Sequence, residues 1–181
     1  DVNGDNVINT SDMTWLGSDQ PKVIAGLNLG ASYKGFDLSL FFNGMVRDAY
    51  NNSKTYMNFF QLWTGNHSTR LLEAMNAWTA YEQTGVYTSD IPALTVVDNN
   101  NESRLSEYYI ENGSYIKLKT LTLGYTFPSE MMKKIRVSNL RLYFQAQNLL
   151  TITGYTGADP EGLGYTYPQP RTFTFGLSVG F

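Results

Sequence analysis

The sequence contains no cysteine, which removes structural disulfides, thiolate zinc sites and cysteine nucleophiles while leaving the compartment open. Charge is scarce as well. Asp, Glu, Lys and Arg make up 16% of the 181 residues, against about a quarter in an ordinary soluble domain. The formal net charge is -3, and no basic stretch is present to track a phosphate backbone, so nucleic acid is not an expected partner. No run of residues approaches the roughly 18 to 20 consecutive apolar positions that a membrane-spanning helix needs. The one histidine, His67, has no second imidazole nearby in sequence and takes no metal role. No serine sits in a nucleophile elbow, no glycine-rich phosphate loop follows a strand, and no carboxylate pair recurs in a glycosidase pattern. Asp159 and Glu161 fall on a Pro/Gly loop, where such residues shape a turn or face water. The chain is not expected to be an enzyme.

What is present in excess is aromatic surface, 14% of residues with Tyr the commonest. Such rings favour strand-rich surfaces and membrane interfaces, where one end of the side chain is apolar and the other wet. The strands themselves show as period-two alternation. Phe173, Phe175, Leu177, Val179 and Phe181 alternate with Thr172, Thr174, Gly176, Ser178 and Gly180. Leu140, Leu142, Phe144 and Ala146 alternate with Arg141, Tyr143, Gln145 and Gln147. Near the start, Val23, Ala25, Leu27, Leu29, Ala31 and Tyr33 share one parity, and beyond Lys34-Gly35 the pattern resumes with Phe36, Leu38, Leu40 and Phe42, which predicts a tight hairpin. Residues 114–127 form a less regular strand. Lys117 and Lys119 there share a parity with Leu121, Leu123 and Tyr125, so the segment requires a bulge or a membrane boundary partway.

About five strands with one apolar and one hydrophilic face suit a transmembrane β-barrel, whose alternation keeps mean hydropathy, here -0.29, near that of soluble proteins. The connections alternate in the way such barrels require. Lys34-Gly35 and 128–138 are short, as periplasmic turns are, whereas 49–113 and 154–170 are long, as outer loops are. Within 49–113, Leu71, Leu72, Met75 and Trp78 recur at helical spacing and predict a short amphipathic helix. Such a stripe ordinarily forms loop core, which is the expectation here over a ligand-stacking role for Trp63 or Trp78. Five strands cannot close a barrel, and an open edge in lipid would leave backbone groups unsatisfied. The chain, which opens inside a motif and shows no signal peptide, is therefore expected to be part of something longer.

One motif carries metal chemistry. Asp1, Asn3, Asp5, the carbonyl of Val7, Asn9 and Asp12 occupy the first, third, fifth, seventh, ninth and twelfth positions of an EF-hand-type loop, the spacing that gathers oxygens around Ca²⁺. Ile8 is placed to tuck inward and pin it. The sharp-turn glycine is replaced by Asn6 and the final bidentate Glu by Asp12, both of which predict weaker binding. The alternative is an acidic loop of Asx turns with no ion.

Taken in order, the motifs resemble the SusC/RagA-type TonB-linked outer-membrane proteins abundant in Bacteroidetes. Asp1-Val2-Asn3-Gly4-Asp5 is similar to the family's acidic loop, and Ala31-Ser32-Tyr33-Lys34-Gly35-Phe36-Asp37-Leu38-Ser39-Leu40-Phe41-Phe42 to its late hairpin. Leu121 to Thr126, Gln147-Asn148-Leu149 and Tyr167 to Thr172 continue in the same order. The resemblance implies an all-β fold: the C-terminal strands of a transmembrane barrel of about 22 strands closed by a plug, with the plug and energy-coupling box N-terminal to this segment. It divides the chain into an acidic calcium-type outer loop (1–20), a hairpin (21–48), a long outer loop (49–113) and the last three strands (114–181). It also implies active import of a nutrient such as a glycan, oligosaccharide or peptide, with a SusD-like surface lipoprotein, the TonB complex and outer-membrane lipid as partners. Phe181 would be the terminal aromatic presented to the barrel-assembly machinery, and Arg141, Gln145 and Gln147 candidates for the lumen wall. Two competing expectations are a secreted, calcium-stabilised β-sandwich that binds carbohydrate, whose apolar strand faces would be buried against a second sheet, and a passive barrel without TonB coupling.

Overall fold

The computed structural model describes residues 1–50, 70–89, 104–133, 136–162 and 167–181. Its centre is an antiparallel sheet of five strands in the order β1 (Val23–Tyr33), β2 (Phe36–Val46), β5 (Tyr115–Thr126), β6 (Asn139–Thr153) and β7 (Thr172–Gly180). The strands run from 9 to 15 residues, well above the five or six or so typical of soluble sheets and long enough, when tilted, to cross a bilayer. A two-stranded ladder of β3 (Asp48–Tyr50) and β4 (Ile110–Asn112) continues beyond β2 and β5, so the first and last residues of the long excursion pair with each other.

The hairpin between β1 and β2 turns on Lys34 and Gly35, both at positive φ, 47° and 89°. This is the mirror-image turn whose twist matches the flanking strands. A Cβ added to Gly35 would lie 2.7 Å from the carbonyl oxygen of Thr126, so both conformation and space require glycine there.

Register explains how alternation in sequence becomes two faces. Ala31, Leu38, Leu123, Phe144 and Phe175 lie side by side across all five strands, as do Leu29, Leu40, Leu121, Ala146 and Phe173. On the opposite face the rows are Ser32, Asp37, Gly124, Tyr143 and Gly176, and Gly30, Ser39, Thr122, Gln145 and Thr174. The parity conflict in 114–127 is resolved by a bulge at Lys119. Phe41 pairs with Thr120 while Phe42 pairs with Leu118, which leaves one residue of β5 without a counterpart and reverses the facing of everything beyond it. Lys117 therefore sits on the polar face with Asn43 and Thr151, whereas Leu121 and Leu123 sit on the apolar one.

The apolar face is uncovered: Phe175 is 80% exposed, and Phe173 and Leu177 are also exposed. A β-sandwich would bury this row against a second sheet, and the sandwich expectation is set aside on that ground. Lipid around a barrel is the surrounding that such a face needs. Rings gather at the short-turn end, where Tyr125 packs against both Phe36 and Phe127 and Lys34 lies over Tyr33, in the manner of an interfacial belt.

The long loops emerge at the other end. A helix, α1 (Arg70–Thr84), covers the predicted amphipathic stripe, but Leu72, Met75 and Trp78 are exposed, and Ala77 is the helix's buried residue among those described. For these three residues the expectation of loop core is corrected: the helix turns the small Ala77 inward and leaves Leu72, Met75 and Trp78 outside, the Leu71 side chain lying outside the described residues. Trp63 and His67 lie outside the described residues. In the short β5–β6 connection, a single turn of helix, α2 (Ser129–Lys133), buries Met132.

Candidate functional site

The polar face carries the only extended charge network among the described residues, and it forms where a loop folds back over the wall. Residues 154–162 leave β6 and are fastened at several points. Thr153 donates through its hydroxyl to the carbonyl of Ser114, and the Tyr155 amide donates to the Thr153 hydroxyl. Tyr155 itself is buried. The amide and hydroxyl of Thr156 both donate to the Glu111 carboxylate, at 3.0 and 2.7 Å.

Beyond this clasp come the charges. Lys117, 2% exposed, donates to Asp159 at 2.5 Å and to Glu161 at 3.2 Å. Lys119, on the bulge, donates to both oxygens of the Glu161 carboxylate, 2.6 and 2.5 Å away. Asp159 also accepts from the amides of Glu161 (2.9 Å) and Gln169 (3.1 Å). Burial alone would raise the pKa of Asp159, but the Lys117 ammonium and the two amides outweigh it and hold the carboxyl below its ordinary range. Glu161 is shifted the same way: burial opposes ionisation and the ammonium groups of Lys119 and Lys117 prevail. From β2's end, Arg47 donates to the backbone carbonyls of Pro160, at 2.5 Å, and Glu161, at 3.5 Å, and its Nε is buried without an acceptor.

This network was not anticipated. Asp159 does shape its turn, but it is 6% exposed rather than solvated, because a lysine 42 residues away in sequence reaches it. The available signal was a pair of lysines, Lys117 and Lys119, in a strand otherwise patterned for a wall.

The lumen candidates Arg141, Gln145 and Gln147 lie on this same polar face. Arg141 donates to Asp37 through Nε and Nη2, at 3.2 and 2.6 Å, across the intervening strand. That crossing needs glycine at 124, since a Cβ there would come within 2.4 Å of the Asp37 carboxylate.

At the other acidic loop, the motif residues are brought together but spend their oxygens on the loop's own backbone. Asp1 accepts from the amides of Gly4, Asp5 and Asn6, and Asp5 from that of Val7 and the side chain of Asn3. Asp12 accepts from Val2, Asn3 and Asn9; the Asn9 amide foremost, against slight burial, holds its pKa below the usual carboxylate value. Asn9 caps the one-turn 3₁₀ segment Thr10–Asp12 and donates to the Val7 carbonyl. Asn6 takes φ 63°, the left-handed geometry the sharp turn demands. Ile8 is exposed; it does not pin the loop, which is held by polar bonds and by Arg104 donating to the Ile8 carbonyl. Among the described residues no group of three acidic or histidine side chains converges closely enough to hold a metal.

No family model matches the chain. Over its whole length it is 33% identical to TonB-dependent receptor P3 of Formosa agariphila, of which it covers 18%. It is 29% identical to TonB-dependent receptor SusC of Bacteroides thetaiotaomicron, of which it covers 17%. The RagAB peptide importer in its closed-closed state superimposes on 92% of the chain with a TM-score of 0.74 and 30% identity, the match taking in 18% of that chain. The chain thus spans less than a fifth of the length of these relatives. Two-faced strands, alternating connections and relatives agree: the chain belongs to the SusC/RagA-type TonB-dependent receptors and forms part of their β-barrel.

Proposed function

We propose that the complete protein lies in the bacterial outer membrane and imports a nutrient, a glycan, oligosaccharide or peptide, with energy delivered by the TonB complex and with a SusD-like surface lipoprotein as the lid of the barrel. The observation that carries this reading is the sheet's division into an uncovered apolar face and a polar face with its own charge network, on a backbone that superimposes on a peptide importer. In that role the chain makes and breaks no bond in the cargo; its strands separate lipid from lumen, and loops 49–113 and 154–170 face the lid or the cargo. Extraction of the native protein from outer membranes in mild detergent, followed by intact mass and identification of co-purifying chains, tests it. A large receptor bearing a surface lipoprotein is expected, and a detergent-independent monomer would overturn it.

Two narrower proposals accompany this. Phe181, which follows β7 and is 97% exposed, serves as the aromatic recognised by the barrel-assembly machinery; its deletion from the full-length protein is expected to lower surface levels, and unchanged levels would refute the role. Loop 1–12 binds Ca²⁺ weakly, with Asp1, Asn3, Asp5, the Val7 carbonyl, Asn9 and Asp12 exchanging their bonds to backbone amides for coordination. A calcium titration that leaves the protection of this loop unchanged would refute it.

A further inference from the structure

The polar wall carries more positive than negative charge where residues 154–162 lie on it. Three cations, Arg47, Lys117 and Lys119, converge on residues 159–161, which supply two carboxylates. Lys117 is shared between Asp159 and Glu161, and Lys119 rests on Glu161. Arg47 has no carboxylate among the described residues. Its guanidinium donates to two backbone carbonyls and its Nε has no acceptor. Carbonyl dipoles offset only part of the charge of this half-buried guanidinium, and Glu111, the other carboxylate that meets residues 154–162, is engaged by Thr156. Its two ends differ in access: the side chains of Lys117 and Asp159 are 2% and 7% exposed, those of Lys119 and Glu161 24% and 32%.

We propose that this cluster is an anion-binding subsite in which the Glu161 carboxylate is a built-in occupant. A ligand bearing an oxyanion, carboxylate or sulfate, enters at the open end and takes the place of Glu161 on Lys119 and Lys117. Residues 160–161 then leave Arg47, whose planar fork is free to bind two oxygens of the incoming group. No covalent step is involved; one ion pair is exchanged for another, and the incoming anion gains the cation that the loop leaves unmatched. The import reading enters only as the source of the anion, and recognition is measured without transport.

The test uses the intact receptor carrying this chain, purified in detergent, as wild type, Lys119→Gln and Glu161→Gln. Sodium sulfate and sodium acetate are titrated at ionic strength held constant with sodium chloride. Calorimetry reads binding, and hydrogen exchange reads residues 156–162. The wild type is expected to bind saturably, with exchange in that segment accelerating as it does. Loss of one charge-assisted partner in Lys119→Gln weakens binding by about tenfold, and removal of the competitor in Glu161→Gln tightens it by about tenfold. The opposite signs separate a binding site from a fastening, since a merely structural network would loosen in both variants. No saturable anion effect in wild type and Glu161→Gln, or parallel weakening in both variants, would overturn the proposal. A failed titration leaves the import reading standing, and failed uptake in cells leaves the subsite standing.

Discussion

Two acidic segments of this chain, residues 1–12 and 154–162, contain the same kinds of carboxylate and use them in opposite ways. In the first, Asp1, Asp5 and Asp12 bond amides that lie at most ten residues away, so each charge stabilises the turn that carries it. In the second, Asp159 and Glu161 bond ammonium groups more than forty residues distant in sequence, so each charge ties a loop to a wall. A local bond shapes a loop without fixing where the loop sits. A distant one fixes position, at the cost of desolvating both partners, and leaves a charge uncompensated if either is lost.

The sharpest way to break this contrast is Lys117→Met. Removing the buried ammonium leaves Asp159 unpaired in a dry site, a change that costs on the order of 3–5 kcal/mol; hydrogen exchange should show residues 156–162 released while 1–12 keep their protection. If the segment stayed protected, the anchoring role of Lys117 would be wrong. Acidification gives the next effect. The carboxyls of Asp159 and Glu161 are depressed in the folded state, so their contribution is full above the unfolded value and is lost as pH falls through the folded one. Attachment of 154–162 should therefore persist at neutral pH and fail below the ordinary carboxylate range. The charged groups of that cluster are Arg47, Lys117, Lys119, Asp159 and Glu161, with Glu111 holding Thr156; proteolysis of the segment against pH reads the transition, and a pH-independent rate would contradict the assignment. Smallest is Asn9→Ala, which removes the cap of a single turn and costs about 1 kcal/mol. Its effect should stay within 1–12, and any spread to residues 154–162 would show that the two segments are coupled.

The wall was legible in the sequence because period two maps directly onto facing, and each strand reports its own alternation. Even the bulge announced itself, since without one Lys117 and Leu121 would share a face. The turn at Lys34-Gly35 was equally readable from two residues. What could not be read were the partnerships. Nothing local in Asp159-Pro160-Glu161 points to Lys117, because the bond depends on β6 and β5 being neighbours and on the loop returning over them. Arg47, at the end of β2, showed no pattern at all. The β3–β4 ladder was hidden for the same reason, its strands of three residues being too short to alternate. The stripe on α1 misled differently: spacing locates a helix, but which face finds cover depends on what surrounds it.

The extra residue at position 119 also governs how this gene segment can change length. Upstream of it, odd-numbered residues of β5 point to the polar side; downstream they point to the apolar side. Excising that single codon would join Leu118 directly to Thr120 and restore plain alternation with every side chain on the face it now holds, at the loss of the Lys119 bonds to Glu161, whereas excising a codon elsewhere in the strand would turn part of it inside out. Changes of length should therefore accumulate in the long connections at one end of the sheet, and within Tyr115 to Thr126 position 119 is where a residue can be dropped without reversing a face.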